Sequence, residues 1–158
     1  MTGFVIILMG SKSDMEHAQA IENALSKLGI EAIKRIGSAH KTPEHVLELL
    51  QQYEADSRAK VYITIAGRSN ALSAFVDGQV TAPVIACPPY SDRYGGADIF
   101  SSLRMPGGVA PAVVLDPSGA ALLAAKILGL VDPAILERIE ELQQNNRDKI
   151  TTDDAELV

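Results

Sequence analysis

The chain has one cysteine and no tryptophan, and it lacks a basic surplus, a long apolar run and any metal-ligand spacing. Each shortage removes a class of protein. A single thiol, Cys87, excludes an internal disulfide and fits a reducing compartment, so a cytoplasmic location is expected. Lys and Arg number 14 against 20 Asp and Glu, a net charge of −6 with no basic stripe for nucleic acid. No apolar stretch approaches the ~20 residues of a membrane span. The run FVIILM begins without a basic lead, which argues against a secretory leader. Three scattered histidines and one cysteine make no metal site.

What is present is the balance of a globular domain, 47% hydrophobic and 22% charged over 158 residues, enough to bury a core. Much of the acidic surplus lies near the carboxyl end (Asp132, Glu137, Glu140, Glu141, Asp153, Asp154, Glu156) and reads as a solvated face.

Short apolar runs alternate with helical patterns. Phe4 to Met9 is continuously apolar, as in a strand covered on both faces. Met15, Ala18, Ile21, Leu25 and Leu28 recur at helical spacing, and Gly29 ends that helix. Further strands are predicted near 31–36, 61–66, 83–87 and 112–116, with helices after 43 and from 118 to 130. Such alternation means βαβ units and a parallel sheet. The expected fold is therefore a flavodoxin-like, three-layer αβα sandwich with five strands. Residues 131–158 form a helical extension that opens at Asp132–Pro133 and frays into a polar end, beside a core of 1–130 in a single domain. The helix near 119–130 carries only Lys126 as a charge, so it should be buried on more than one side, which predicts a homo-oligomer.

In such sheets ligands bind beyond the carboxyl ends of the strands. The polar, glycine-bearing segments lie there: GSKSD, GSAHKTP, GRSN and PPYSDRYGG follow successive strands, while SKLG, DSRAK and VTA at the other edge are plainer. In the first, Ser13 with Glu16 reads as a capping box, and the same helix start could cradle a phosphate. Asp14 would repel phosphate and suits sugar hydroxyls better. In the second, Thr42 and Pro43 account for the helix start but not for His40 and Lys41. In the third, Ser69 or Asn70 could simply cap a helix, and no nucleophile-elbow spacing is present. His17 and His45 read as surface or packing residues, and Cys87 as inert.

MGSKSD, SAHKTP, AGRSN, CPP and SSLRMPGG, in that order over about residues 4 to 130, closely resemble the phosphoribosylaminoimidazole carboxylase family of purine biosynthesis. The resemblance implies a flavodoxin-like subunit, an octamer or tetramer, and carboxylation of aminoimidazole ribonucleotide (AIR) by carbon dioxide without ATP, biotin or metal. It implies that Gly10, Ser11 and Ser13 hold the phosphate end and Asp14 the ribose. Ser38 and Lys41 would meet phosphate or carboxylate; Gly67, Arg68, Ser69 and Asn70 would bind substrate around the carbon dioxide pocket. His40 would carry the proton. Lys41 after His40, and a third loop without histidine, resemble the branch that uses carbon dioxide directly. The alternatives are the mutase branch, acting on the N-carboxylated substrate, and a non-enzymatic flavodoxin-like binding module. Whether Asp92, Arg93 and Arg104 touch ligand stays open.

Overall fold

β1 (Phe4–Met9) is buried along its whole length, as an apolar run covered on both faces must be. The computed structural model describes residues 3–157. Val5, Ile7 and Met9 face one helical layer and Phe4, Ile6 and Leu8 the other, the two-residue alternation of a strand. β3 (Lys60–Ile65) divides in the same way, with Val61, Ile63 and Ile65 on the first side and Tyr62 on the second.

The five strands are all parallel in the order β2-β1-β3-β4-β5, the flavodoxin-like arrangement. β2 (Glu31–Ile36) lies at one edge, with exposed ends and the charged Lys34 and Arg35 along it, as suits an edge strand. β4 (Val84–Ala86) and β5 (Ala112–Val113) complete the other side. α1 (Met15–Lys27) and α5 (Pro117–Gly129) cover one face, with α6 (Pro133–Ala155) outside α5. α2 (Pro43–Glu54) and α3 (Ala71–Asp77) cover the other face, and the short α4 (Phe100–Leu103) lies between β4 and β5 in the chain.

Register prepares the site. Met9 pairs with both Ile36 and Ile65, so the three strands end level and the loops after them start side by side. The order reverses at β1, which places the switch-point crevice over those same loops.

Three expectations change. The capping box at the start of α1 is made by Ser11 and Asp14, not Ser13 and Glu16. A 3-10 turn over Lys12–Asp14 leads straight into α1, and the Ser11 N–H donates to Asp14 Oδ2 at 3.1 Å. β5 is shorter than 112–116 because Asp116 caps α5 by accepting the Gly119 N–H at 2.7 Å, while Leu115 turns to solvent. The carboxyl-terminal helix does not fray at once but runs through Ala155. Its Ile135 and Ile139 are buried against α5 and cover part of that helix's apolar surface, while Leu122, Leu123 and Ile127 stay only partly buried. Among the described residues, no helix is long and apolar enough to cross a membrane.

Candidate functional site

Each of the first three loops is shaped before any ligand is considered. Ser11, at the head of the 3-10 turn, has its hydroxyl 2.6 Å from that of Ser13 and 3.2 Å from Asp14 Oδ2. The box thus engages one oxygen of Asp14. Gly37 opens the second loop where a Cβ would come within 2.8 Å of Val46 Cγ2, too close for any side chain without a shift. Ser38 then anchors a turn. Its carbonyl accepts the N–H groups of Lys41 and Thr42, and its Oγ accepts from Lys41 N at 3.3 Å. A hydroxyl that accepts there still has its own proton to donate to a ligand. Thr42 precedes Pro43 as expected, but its Oγ1 braces Ser38, accepting the Ser38 N–H at 3.0 Å, and makes no cap bond to the helix.

The third loop is the strained one. Arg68 has φ of 59°, in the left-handed region that favours glycine. Its N–H donates to Asp98 Oδ2 at 2.9 Å. Ser69 follows with an exposed side chain, and its Oγ lies 3.4 Å from His40 Nε2. Asn70 then turns inward. Its Oδ1 accepts from Ser73 N at 3.1 Å and Ser73 Oγ at 2.9 Å, and its Nδ2 donates to Ser102 Oγ at 2.9 Å.

The loops enclose a cavity of about 540 Å³. Gly10, Ser11, Ser13 and Asp14 line it from the first loop, Ser38, His40 and Lys41 from the second, and Gly67, Arg68 and Ser69 from the third. Asn70, expected among the substrate-binding residues, is the exception. It is 5% exposed and does not line the cavity, because its amide is committed to capping α3 and to Ser102. The open alternative that Asn70 is a helix cap describes its side chain.

Sequence reasoning passed over Asp98 and left Arg93 open, yet both line the cavity, with Pro89 and Ser91. The one signal for them in the sequence is that PPYSDRYGG is a polar, glycine-bearing segment following a strand. Asp92 and Arg104 lie outside the lining. Three cationic side chains, Lys41, Arg68 and Arg93, therefore meet two carboxylates, Asp14 and Asp98. With two serines at a helix start, that balance suits an anionic ligand.

Behind this surface, Cys87 Sγ lies 3.3 Å from His17 Nε2 and is fully buried. Burial, and secondarily the Asp116 charge, push the thiol up to about 12, so it stays protonated and unreactive near neutrality. Burial also lowers the His17 imidazole below its usual value, outweighing the upward pull of Cys87, Asp14 and Asp116. No cluster of three or more His, Cys, Asp or Glu side chains able to hold a metal ion occurs among the described residues.

Comparison with known proteins gives a consistent result. The model of the family described as AIR carboxylase matches residues 4–149. The chain is 58% identical over 157 residues to the phosphoribosylaminoimidazole carboxylase of Treponema denticola, covering 99% of each chain. It is 53% identical over 152 residues to the enzyme of the same name from Archaeoglobus fulgidus, covering 96% of this chain and 83% of that one. The crystal structure of Treponema denticola PurE superposes with a TM-score of 0.96 at 58% identity, over 98% of both chains.

Proposed function

The chain belongs to the AIR carboxylase family, and from that premise we propose how its cavity carboxylates 5-aminoimidazole ribonucleotide with carbon dioxide, giving 4-carboxy-5-aminoimidazole ribonucleotide in purine biosynthesis. The amino group of AIR makes the neighbouring ring carbon nucleophilic, like an enamine. That carbon attacks carbon dioxide, forming a carbon–carbon bond while one C=O π pair moves onto oxygen. The adduct holds both a hydrogen and a carboxylate on a tetrahedral carbon. Removing the proton restores the aromatic ring. No ATP, biotin or metal is needed for this balance.

His40 takes that proton in the forward direction and returns it in reverse. The observation that carries this assignment is its placement, with Nε2 facing the third loop at Ser69 across the cavity. Imidazole exchanges a proton near neutral pH, as the step requires in both directions. Ser69, Arg68 and the Gly67 backbone surround the new carboxylate and stabilise charge where it develops. Gly10, Ser11 and Ser13 receive the phosphate end. Asp14 turns its second oxygen, the one outside the capping box, to the ribose hydroxyls. Ser38 donates its hydroxyl proton, and Lys41 supplies positive charge, to phosphate or carboxylate. Asn70 acts beneath the cavity by holding the third loop.

In this reading residues 1–130 carry the site, 131–158 extend it, and the protein works in the cytoplasm. Self-association as a tetramer or octamer is supported by exposed apolar side chains, among them Phe100, Leu103, Leu130 and Val131.

An ultraviolet assay tests the reaction, giving the protein AIR with bicarbonate or, separately and briefly, the N-carboxylated compound. Turnover of AIR that rises with dissolved carbon dioxide is expected. Turnover of the N-carboxylated compound alone makes the protein a mutase and overturns the direct reaction.

A further inference from the structure

A carboxylate is out of place on the wall of a cavity built for a phosphate and a nascent carboxylate, yet Asp98 stands there. It forms no ion pair among the described residues, although Lys41, Arg68 and Arg93 line the same cavity. Its hydrogen bond runs instead to a backbone group, the N–H of Arg68. That backbone is in the left-handed region, which a residue with a Cβ occupies only when its surroundings over-determine it.

The over-determination comes from one segment 30 residues downstream. Asp98 accepts from Arg68 N at 2.9 Å. Ser101 Oγ accepts from Asn70 N at 3.0 Å and shares its single proton between Arg68 O at 3.0 Å and Asp98 O at 2.8 Å. Ser102 Oγ accepts from the Asn70 amide. Both flanks of Ser69 are thus pinned, and Ser69 itself is left to face His40.

We propose that Asp98 is a positioning residue. Its carboxylate, with Ser101 as the second clasp, holds Arg68 in the left-handed conformation and so sets where Ser69 and the Arg68 side chain meet the carbon dioxide end of the substrate. This rests on the reading of the cavity as a carboxylation site. The clasp acts on the chemical step rather than on ribonucleotide binding, because the phosphate end is held by the first loop. Asp98 is partly exposed in a surface segment, so replacing it leaves the core untouched.

The test compares Asp98→Ala, Asp98→Asn, Arg68→Gly and the double variant Asp98→Ala/Arg68→Gly, by steady-state kinetics and by hydrogen exchange at the Arg68 amide. Asp98→Ala should lower kcat by roughly 10–100-fold, the order that misplacing a reacting group costs, with the KM for AIR changed by less than about twofold. Asp98→Asn keeps an acceptor for the N–H and should stay within about threefold of the parent. Glycine carries no left-handed penalty, so the loss caused by Asp98→Ala should shrink by about fivefold or more when measured against Arg68→Gly alone. Exchange at the Arg68 amide should quicken in Asp98→Ala.

Unchanged kinetics and unchanged exchange in Asp98→Ala would overturn the proposal. An Asn variant as damaged as the Ala variant would also overturn it, since charge and not the acceptor would then matter. If the parent protein itself fails to turn over AIR, the carboxylation reading fails, and the Arg68 exchange rate alone decides whether Asp98 holds this loop.

Discussion

Ser69 Oγ and His40 Nε2 lie 3.4 Å apart, although their loops leave strands that are not neighbours. β2 carries the first residue's partner loop and β3 the other, with β1 between them. At ~4.8 Å per strand spacing, the two strand ends are about 10 Å apart, so both loops lean inward over the end of β1. That closure turns three separate loop starts into one cavity.

Replacing His40 tests its role as proton carrier. His40→Asn should lower kcat by about 10²–10⁴, the usual contribution of a general acid–base group. His40 is exposed, so thermal unfolding should stay close to that of the parent. Near-parental turnover of AIR by this variant would remove His40 from the proton transfer.

Ser69→Ala deletes the hydroxyl that faces His40 and, in the proposed reaction, the carboxylate. A neutral hydrogen bond contributes ~0.5–1.5 kcal/mol, so kcat/KM for carbon dioxide should fall about 2- to 13-fold. Ser69→Thr keeps the hydroxyl and should recover most of that loss. Titrating dissolved carbon dioxide at saturating AIR gives the comparison.

Asn70 should show its effect mainly in stability. Asn70→Ala removes a helix cap and leaves the Ser73 and Ser102 hydroxyls short of their partner, for a loss of about 1–3 kcal/mol in urea denaturation. Asn70→Asp retains the oxygen that accepts from Ser73 and should lose less. A variant that unfolds like the parent but no longer binds AIR would restore Asn70 to direct contact with substrate.

His17 gives stability an acid edge. Its folded-state value is below the usual ~6.5, so the unfolded chain takes up the proton first as pH falls. Stability is full above about pH 6.5 and declines as pH drops through that point towards the folded value. Glu22 is lowered chiefly by its hydrogen bond to Lys34, and the contribution it loses lies further down, below the usual carboxylate value of about 4.5. Denaturation of the parent and of His17→Gln at about pH 8, 5 and 3.5 separates the two, because the first interval holds the His17 change and the second the Glu22 change. The variant should show a flatter decline between the first two conditions, and an equally steep one would count against His17.

Local pattern made much of this protein legible. The continuous apolar run of Phe4–Met9, the helical spacing of Met15 to Leu28 and the proline starts at Pro43 and Pro133 are short-range signals, and they name strands and helices without knowledge of their neighbours. Alternation of those elements implies parallel crossovers, and the crossovers put the glycine-bearing loops at one edge. Ten candidate residues on three loops therefore line one cavity.

What short-range pattern does not carry is the direction of a side chain within a loop, or the return of a distant segment. Asn70 and Ser69 are adjacent and polar, yet one faces inward to Ser73 and Ser102 and the other faces His40. Asp98 and Arg93 reach the cavity on a segment where Tyr94, Gly95 and Gly96 are successively left-handed, a path with no periodicity to read. The sequence by itself determined the elements and the edge where chemistry gathers, because spacing and caps act over a few residues. Tertiary packing alone decided which side chains face the cavity and which brace it, because those contacts join residues some 30 positions apart whose partners only the folded sheet brings together.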